Sequence, residues 1–154
     1  MDDIFFIWPG TVEELDEFEN FLNDVTEGIK IKFEHSKTET NFLDTIVYKA
    51  TDDITGDTTL QTKVYFKSTD THQLLHTTSF HPKHTTRGIL KSQLIRFKRI
   101  SSTKTDYDST CKILFKTLAQ RGYTWTSMNR EMKNIWYNYS DVTCNFKQDE
   151  KVIP

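Results

Sequence analysis

The sequence predicts an α+β protein: a small antiparallel sheet with one flanking helix, followed by a three-helix bundle. Three observations predict it. Apolar and polar residues alternate over 29–34 and 60–67, the period of a half-buried strand. Apolar residues recur at intervals of three and four between Leu15 and Val25, and again from Leu90 to Trp136, the period of an amphipathic helix. Charge divides along the same line. Residues 1–60 hold fifteen acids and four bases, a balance of −11, while residues 81–137 hold twelve bases and three acids, a balance of +9. The overall net charge of −2 hides this split. Such asymmetry points the second half toward a polyanion.

The first predicted strand is Ile4-Phe5-Phe6-Ile7-Trp8, broken by Pro9-Gly10. Thr11 is a predicted N-cap with Glu14 as its capping-box partner. Leu15, Phe18, Leu22 and Val25 then form one face of a helix, with Phe21 beside them, that ends near Gly28. Ile29, Ile31 and Phe33 alternate with Lys30, Lys32 and Glu34 as an edge strand. The β-branched and aromatic run 41–48 is a further strand, the segment 51–57 is a turn, and 60–66 is the returning arm of a long-looped hairpin. Residues 68–87, rich in Ser, Thr and His and containing Pro82, read as an ordered linker. Helices are predicted from Gly88 to Ser101, with Leu90, Leu94, Phe97 and Ile100 inward; from Asp106 to Arg121, with Tyr107, Cys111, Leu114 and Leu118 inward; and from Thr126 to Tyr137, with Met128, Met132, Ile135 and Trp136. The expected divisions are therefore 1–67, a linker at 68–87, a helical unit at 88–138 and a loose tail at 139–154.

Length and composition exclude several classes. A chain of 154 residues holds one domain or two small ones, and eleven Phe, six Tyr and three Trp supply a core. No apolar stretch approaches the ~20 residues of a membrane span, and the N-terminus lacks the basic start of a secretory signal. No membrane partner is expected, and the expected location is intracellular and nuclear. Cys111 and Cys144 are too few and too distant for a disulfide framework or a paired-Cys zinc site. The sequon Asn138-Tyr139-Ser140 has no meaning without export.

Several groups could carry chemistry. Asp2 and Asp3 stand side by side against an apolar run, where repulsion and desolvation oppose them unless a divalent cation sits there; the plainer reading is a pair of solvated terminal acids. His72, His76, His81 and His84 crowd a short segment, but no Cys joins them, Pro82 divides them and no zinc-ligand spacing fits. Contacts from His81 and His84 to a phosphate backbone suit them better. Lys63, Tyr65 and Lys67 alternate outward and could touch phosphate or stack on a base. Lys83, Arg87, Lys91, Arg96, Lys98 and Arg99 form a one-signed run. The usual account of such a run is the polar face of a core helix; its upstream extension favours nucleic-acid contact.

The order of these pieces resembles a known family. Met1-Asp-Asp-Ile-Phe-Phe-Ile-Trp8, Asn41-Phe-Leu-Asp-Thr45, Leu60-Gln-Thr-Lys-Val-Tyr65, Ser79-Phe-His-Pro-Lys-His-Thr85, the run from Gly88 to Ile100, and Arg121-Gly-Tyr123 are similar to the reverse transcriptases of Penelope-like retroelements, from the end of the palm into the thumb. The resemblance implies that Asp2 is a catalytic metal ligand with Asp3 its neighbour, that Mg2+ serves the intact parent RNA-directed DNA polymerase, and that the helices are thumb-like. It implies a DNA or RNA template–primer duplex as an electrostatic partner, with self-association through an exposed sheet edge at Phe5, Phe6 and Trp8. The further palm carboxylate and the fingers of such enzymes have no counterpart here. The expectation is therefore a truncated, non-catalytic fragment with no cofactor of its own. The alternative is a helix-turn-helix DNA-binding module, with helices 88–101 and 106–121 joined by Ser102-Thr-Lys-Thr105. Its second helix offers Lys112, Lys116, Gln120 and Arg121 but few base-reading groups. A third reading is a non-functional remnant that does not fold stably alone.

Overall fold

The computed structural model describes residues 3–139, apart from positions 27 and 72. In chain order its elements are α1 (Val12–Val25), β1 (Glu39–Phe42), β2 (Thr45–Thr51), β3 (Thr58–Val64), α2 (Lys83–Ile100), α3 (Lys104–Gln120) and α4 (Trp125–Asn138). The architecture is α+β, with a three-stranded antiparallel sheet ahead of the helical bundle.

The start of α1 follows the local rule written in the sequence. The Thr11 hydroxyl accepts from the Glu14 N–H at 3.2 Å, and the Glu14 carboxylate accepts from the Thr11 N–H at 2.8 Å, a complete capping box. Gly10 makes this possible: a Cβ there would collide with Glu14 Oε2 and lie 2.9 Å from the Trp8 indole nitrogen. The indole itself donates to the Thr11 carbonyl at 2.9 Å.

Two predicted strands are not strands. Residues 4–8 and 29–34 run alongside α1 without a ladder. Alternation shows which side chains share a face, but a strand also needs a neighbour to take its main-chain hydrogen bonds. Along 29–34, α1 side chains take that role. The Asn23 amide accepts from the Ile31 N–H and donates to the Ile31 carbonyl, both at 2.8 Å, and Glu19 accepts from the Phe33 N–H at 2.6 Å. Aromatic rings bind the layer: Phe6 meets Phe33 edge-on at 5.1 Å, and Phe18 stacks on Trp8 at 5.5 Å and on Phe33 at 5.9 Å.

The predicted strand 41–48 is interrupted. Leu43 adopts φ 56°, and Leu43-Asp44 forms a two-residue turn that pairs Phe42 with Thr45. No Gly or Asn announces this turn, which is why the run reads as continuous. The β2–β3 hairpin has the expected long loop, tied by Asp52, whose carboxylate accepts from the Ile54 and Thr55 N–H groups at 2.8 and 3.0 Å.

The sheet docks on the helices through β3 and the turns that flank it. Val64 lies inside the helical core, and Phe66 meets Phe97 edge-on at 5.7 Å. The Thr62 hydroxyl donates to the Ile100 carbonyl, the Thr62 carbonyl accepts from the Ser102 N–H at 2.9 Å, and the Thr62 N–H donates to the Ser102 hydroxyl at 2.8 Å. The Tyr48 hydroxyl lies 2.9 Å from Gln61 and 2.7 Å from Asp106 on α3.

The bundle closes as its periodicity predicts. Leu90, Leu94 and Phe97 of α2, Tyr107, Cys111, Leu114 and Leu118 of α3, and Met128, Met132 and Ile135 of α4 are buried, joined by Phe115. Burial pushes the Cys111 thiol up to about 12, as suits a core thiol rather than a nucleophile. Helix α2 begins five residues earlier than Gly88 because Pro82 presets the first turn and its carbonyl accepts from Thr85 N–H at 2.9 Å. Gly88 lies within the helix, where nothing approaches its missing Cβ. Helix α3 is capped by Thr103, whose hydroxyl accepts from the Asp106 N–H at 3.1 Å. It ends at Gly122, whose φ of 82° is the left-handed C-terminal stop.

Candidate nucleic-acid interface

The basic run on α2 divides by position. Lys83, Arg87 and Lys91 lie one turn apart and are exposed. The three cations after them are engaged within the protein. Arg96 grips Asp44 of the β1–β2 turn, from Nε at 3.0 Å and Nη2 at 2.7 Å. Lys98 donates to the carbonyls of Ile135 at 3.2 Å, Trp136 at 2.5 Å and Tyr139 at 2.6 Å, the C-terminal end of α4. The last turn of α4 carries no basic residue of its own, so Lys98 provides the cation that its dipole favours. Arg99 donates to the Tyr139 hydroxyl at 2.9 Å and lies over that ring.

The remaining sequence candidates are scattered. Lys63 pairs with Glu39 at 3.1 Å and sits 4.9 Å over the Tyr48 ring. Tyr65 follows β3 as a half-buried residue whose N–H bonds the Asp44 carbonyl, and Lys67 is exposed beyond it. His81 and His84 are exposed on either side of Pro82, and His81 shares a hydrogen bond with the Ser79 hydroxyl at 2.7 Å. His72 and Asp2 lie outside the described residues. Asp3 is exposed, and among the described residues no group of three or more His, Cys, Asp or Glu side chains is placed to hold a metal.

Helix α4 carries a further exposed polar face, outside the basic run on α2. Met128, Met132 and Ile135 turn α4 toward the core. By the same 3.6-residue period, Thr126, Asn129, Arg130, Lys133, Asn134 and Tyr137 occupy its opposite face, and all six are exposed. Among the described residues no hydrogen bond or ion pair engages Asn129, Arg130 or Lys133, and the Asn134 amide oxygen accepts only from Asn138, at 2.9 Å. These are the residue types that hydrogen-bond base edges and phosphates. Their signal in the sequence is the complement of the apolar spacing of α4, and the longer basic run on α2 masks it.

Helix α3, the turn Arg121-Gly122-Tyr123-Thr124 and α4 form two helices joined by a short turn that contains a left-handed glycine. The segment before α2 packs on this turn. The Thr77 N–H donates to the Arg121 carbonyl at 3.0 Å, and a Cβ on Gly122 would collide with the Thr77 hydroxyl. Beside the turn opens a cleft of about 250 Å³ lined by Lys83, Thr86 and Arg87 of α2 and by Tyr123, Thr124 and Ser127 at the start of α4.

Residues 73–133 are similar to the animal helix-turn-helix domain, a stretch that covers α2, α3 and most of α4. No curated protein and no solved structure matches the chain. The match supports a helix-turn-helix module and corrects the resemblance to Penelope-like reverse transcriptases, which no matching family supports. The structure is consistent with that correction: residues 4–8, which the resemblance makes a catalytic strand, form no strand. No described helix is long and apolar enough to cross a membrane.

Proposed function

We propose that this chain is a DNA-binding protein whose helix-turn-helix, α3–turn–α4, presents α4 to the major groove. One observation carries the reading. The outward face of α4 gathers Asn129, Arg130, Lys133 and Asn134, while its other face is anchored in the core. A rigid helix with amide and cationic side chains on its free side is the arrangement by which such modules read base edges. The similarity of residues 73–133 to the animal helix-turn-helix domain supports the helix-turn-helix part of this reading. A nuclear location follows from this role.

Selection of duplexes from a random pool, followed by fluorescence anisotropy against salt, tests the proposal. The full chain enriches a defined sequence. Arg130→Ala and Lys133→Ala each lower affinity and reduce the log–log salt slope by about 0.9 for each phosphate they cease to neutralise. A chain that binds no duplex, or α4 variants that bind as the parent does, would overturn it.

A further inference from the structure

The cleft beside the α3–α4 turn has an electrostatic imbalance. Lys83 and Arg87 line it, and its lining includes no carboxylate. Lys83 stands in the first turn of α2, at the positive end of that helix's dipole, and neither α2 nor α4 has an acid in its first turn. The Thr124 side chain makes no capping hydrogen bond, so the first amides of α4 have no side-chain acceptor from their cap. The hydroxyls of Thr77, Thr86, Thr124 and Ser127 belong to residues that also line the cleft. Two cations and the starts of two helices thus meet around an open space wide enough for an oxyanion and without a carboxylate on its lining.

We propose that the cleft between the first turns of α2 and the start of α4 seats one backbone phosphate of the duplex, with Arg87 and Lys83 as its charge partners. This rests on the reading of α4 as the duplex-facing helix. Because Thr124 and Ser127 belong both to the cleft and to the start of α4, a phosphate held there anchors that end of the helix to the backbone of the duplex. The phosphate carries no sequence information of its own. It orients the helix that does.

The test uses the full chain and the duplex selected above, prepared as a panel in which one phosphate at a time is replaced by a neutral methylphosphonate. The Lys83→Gln/Arg87→Gln double variant keeps its helicity by circular dichroism, loses affinity about tenfold, and has a salt slope smaller by about 0.9. At one methylphosphonate position the parent protein weakens by the same factor, while the double variant is indifferent to that substitution. Its base preference, scored over the selected sites, stays that of the parent. Arg87→Lys, which retains the charge, recovers part of the affinity. A parent that binds the duplex while the double variant's defect stays constant across the whole panel overturns the phosphate seat and leaves the role of α4 standing. A double variant with altered base preference and an unchanged salt slope also overturns it. Absence of any duplex binding by the parent removes the reading of α4 and the phosphate seat together. As a readout independent of DNA, inorganic phosphate shifts the amide resonances of Gly122 and residues 124–127 in the parent but not in the double variant; shifts of equal size in both count against the seat.

Discussion

Helices α2 and α4 pack against each other and both carry cations, yet they direct that charge oppositely. The second half of α2 turns Arg96, Lys98 and Arg99 onto the protein itself: onto Asp44, onto the last carbonyls of α4, and onto Tyr139. Helix α4 has fewer cations, and Arg130 and Lys133 have no partner among the described residues. The second half of the longer basic run is therefore engaged within the protein, whereas Lys83, Arg87 and Lys91 in its first half face solvent, as do the cations of α4. A run of one sign along a helix says that charge is present; the neighbours decide whether it meets a carboxylate, a helix terminus or water.

The largest effect separating the two helices is expected at Lys98. Replacing it by Met leaves three carbonyls at the end of α4 without their charged donor, and urea unfolding should show a loss of about 2–3 kcal/mol. The salt slope of duplex binding should stay at its parent value below the melting temperature. Unchanged stability with a reduced slope would mean that Lys98 faces the duplex after all.

Asn129→Ala and Asn134→Ala test the other helix. If α4 reads bases, each change should relax preference at one base pair by about 1–3 kcal/mol. Thermal melting should not move, because both side chains are exposed. Equal affinity for every duplex in the parent would deprive these variants of any preference to lose.

A third measurement concerns the hairpin that brings Asp44 to α2. Burial, aided by the neighbouring Asp106 carboxylate, pushes the Tyr48 hydroxyl up to about 12 from 10.0. The folded state holds this proton more tightly than the unfolded chain does, so its contribution is intact below pH 10 and is lost as pH rises toward 12. Tyr48→Phe should cost about 1 kcal/mol at neutral pH and flatten that part of the alkaline fall. An identical alkaline profile in the variant would assign the fall to other groups, such as the buried Cys111 thiol.

The smallest effect is expected at Asp44. Arg96 donates twice to a single Asp44 carboxylate oxygen, and the Arg96 and Asp44 side chains are 41% and 47% exposed. Asp44→Asn should therefore lower stability by no more than about 1 kcal/mol. A much larger loss would show that the ion pair, rather than Val64 and Phe66, holds the hairpin on the helices.

Local physics makes part of this protein legible from its residues alone. A hydroxyl three residues ahead of a carboxylate specifies the cap at Thr11, because the partners lie within one turn. Apolar spacing specifies which sides of α2, α3 and α4 are buried, because each helix carries its own 3.6-residue register. Gly122 marks the end of α3, because a residue without Cβ enters the left-handed region without strain. Whatever depends on a neighbour was decided by the packed chain. Residues 29–34 alternate like a strand, but α1 supplies amide and carboxylate partners where a strand would have stood. Leu43 turns the chain although no glycine invites it, because Thr45 has Val64 to pair with on the other side. The fate of each cation on α2 was decided in the same way. Electrostatic energy depends on distance, and the distances from Lys98 to α4, from Arg96 to Asp44 and from Arg87 to the start of α4 exist only once segments remote in the chain have packed together.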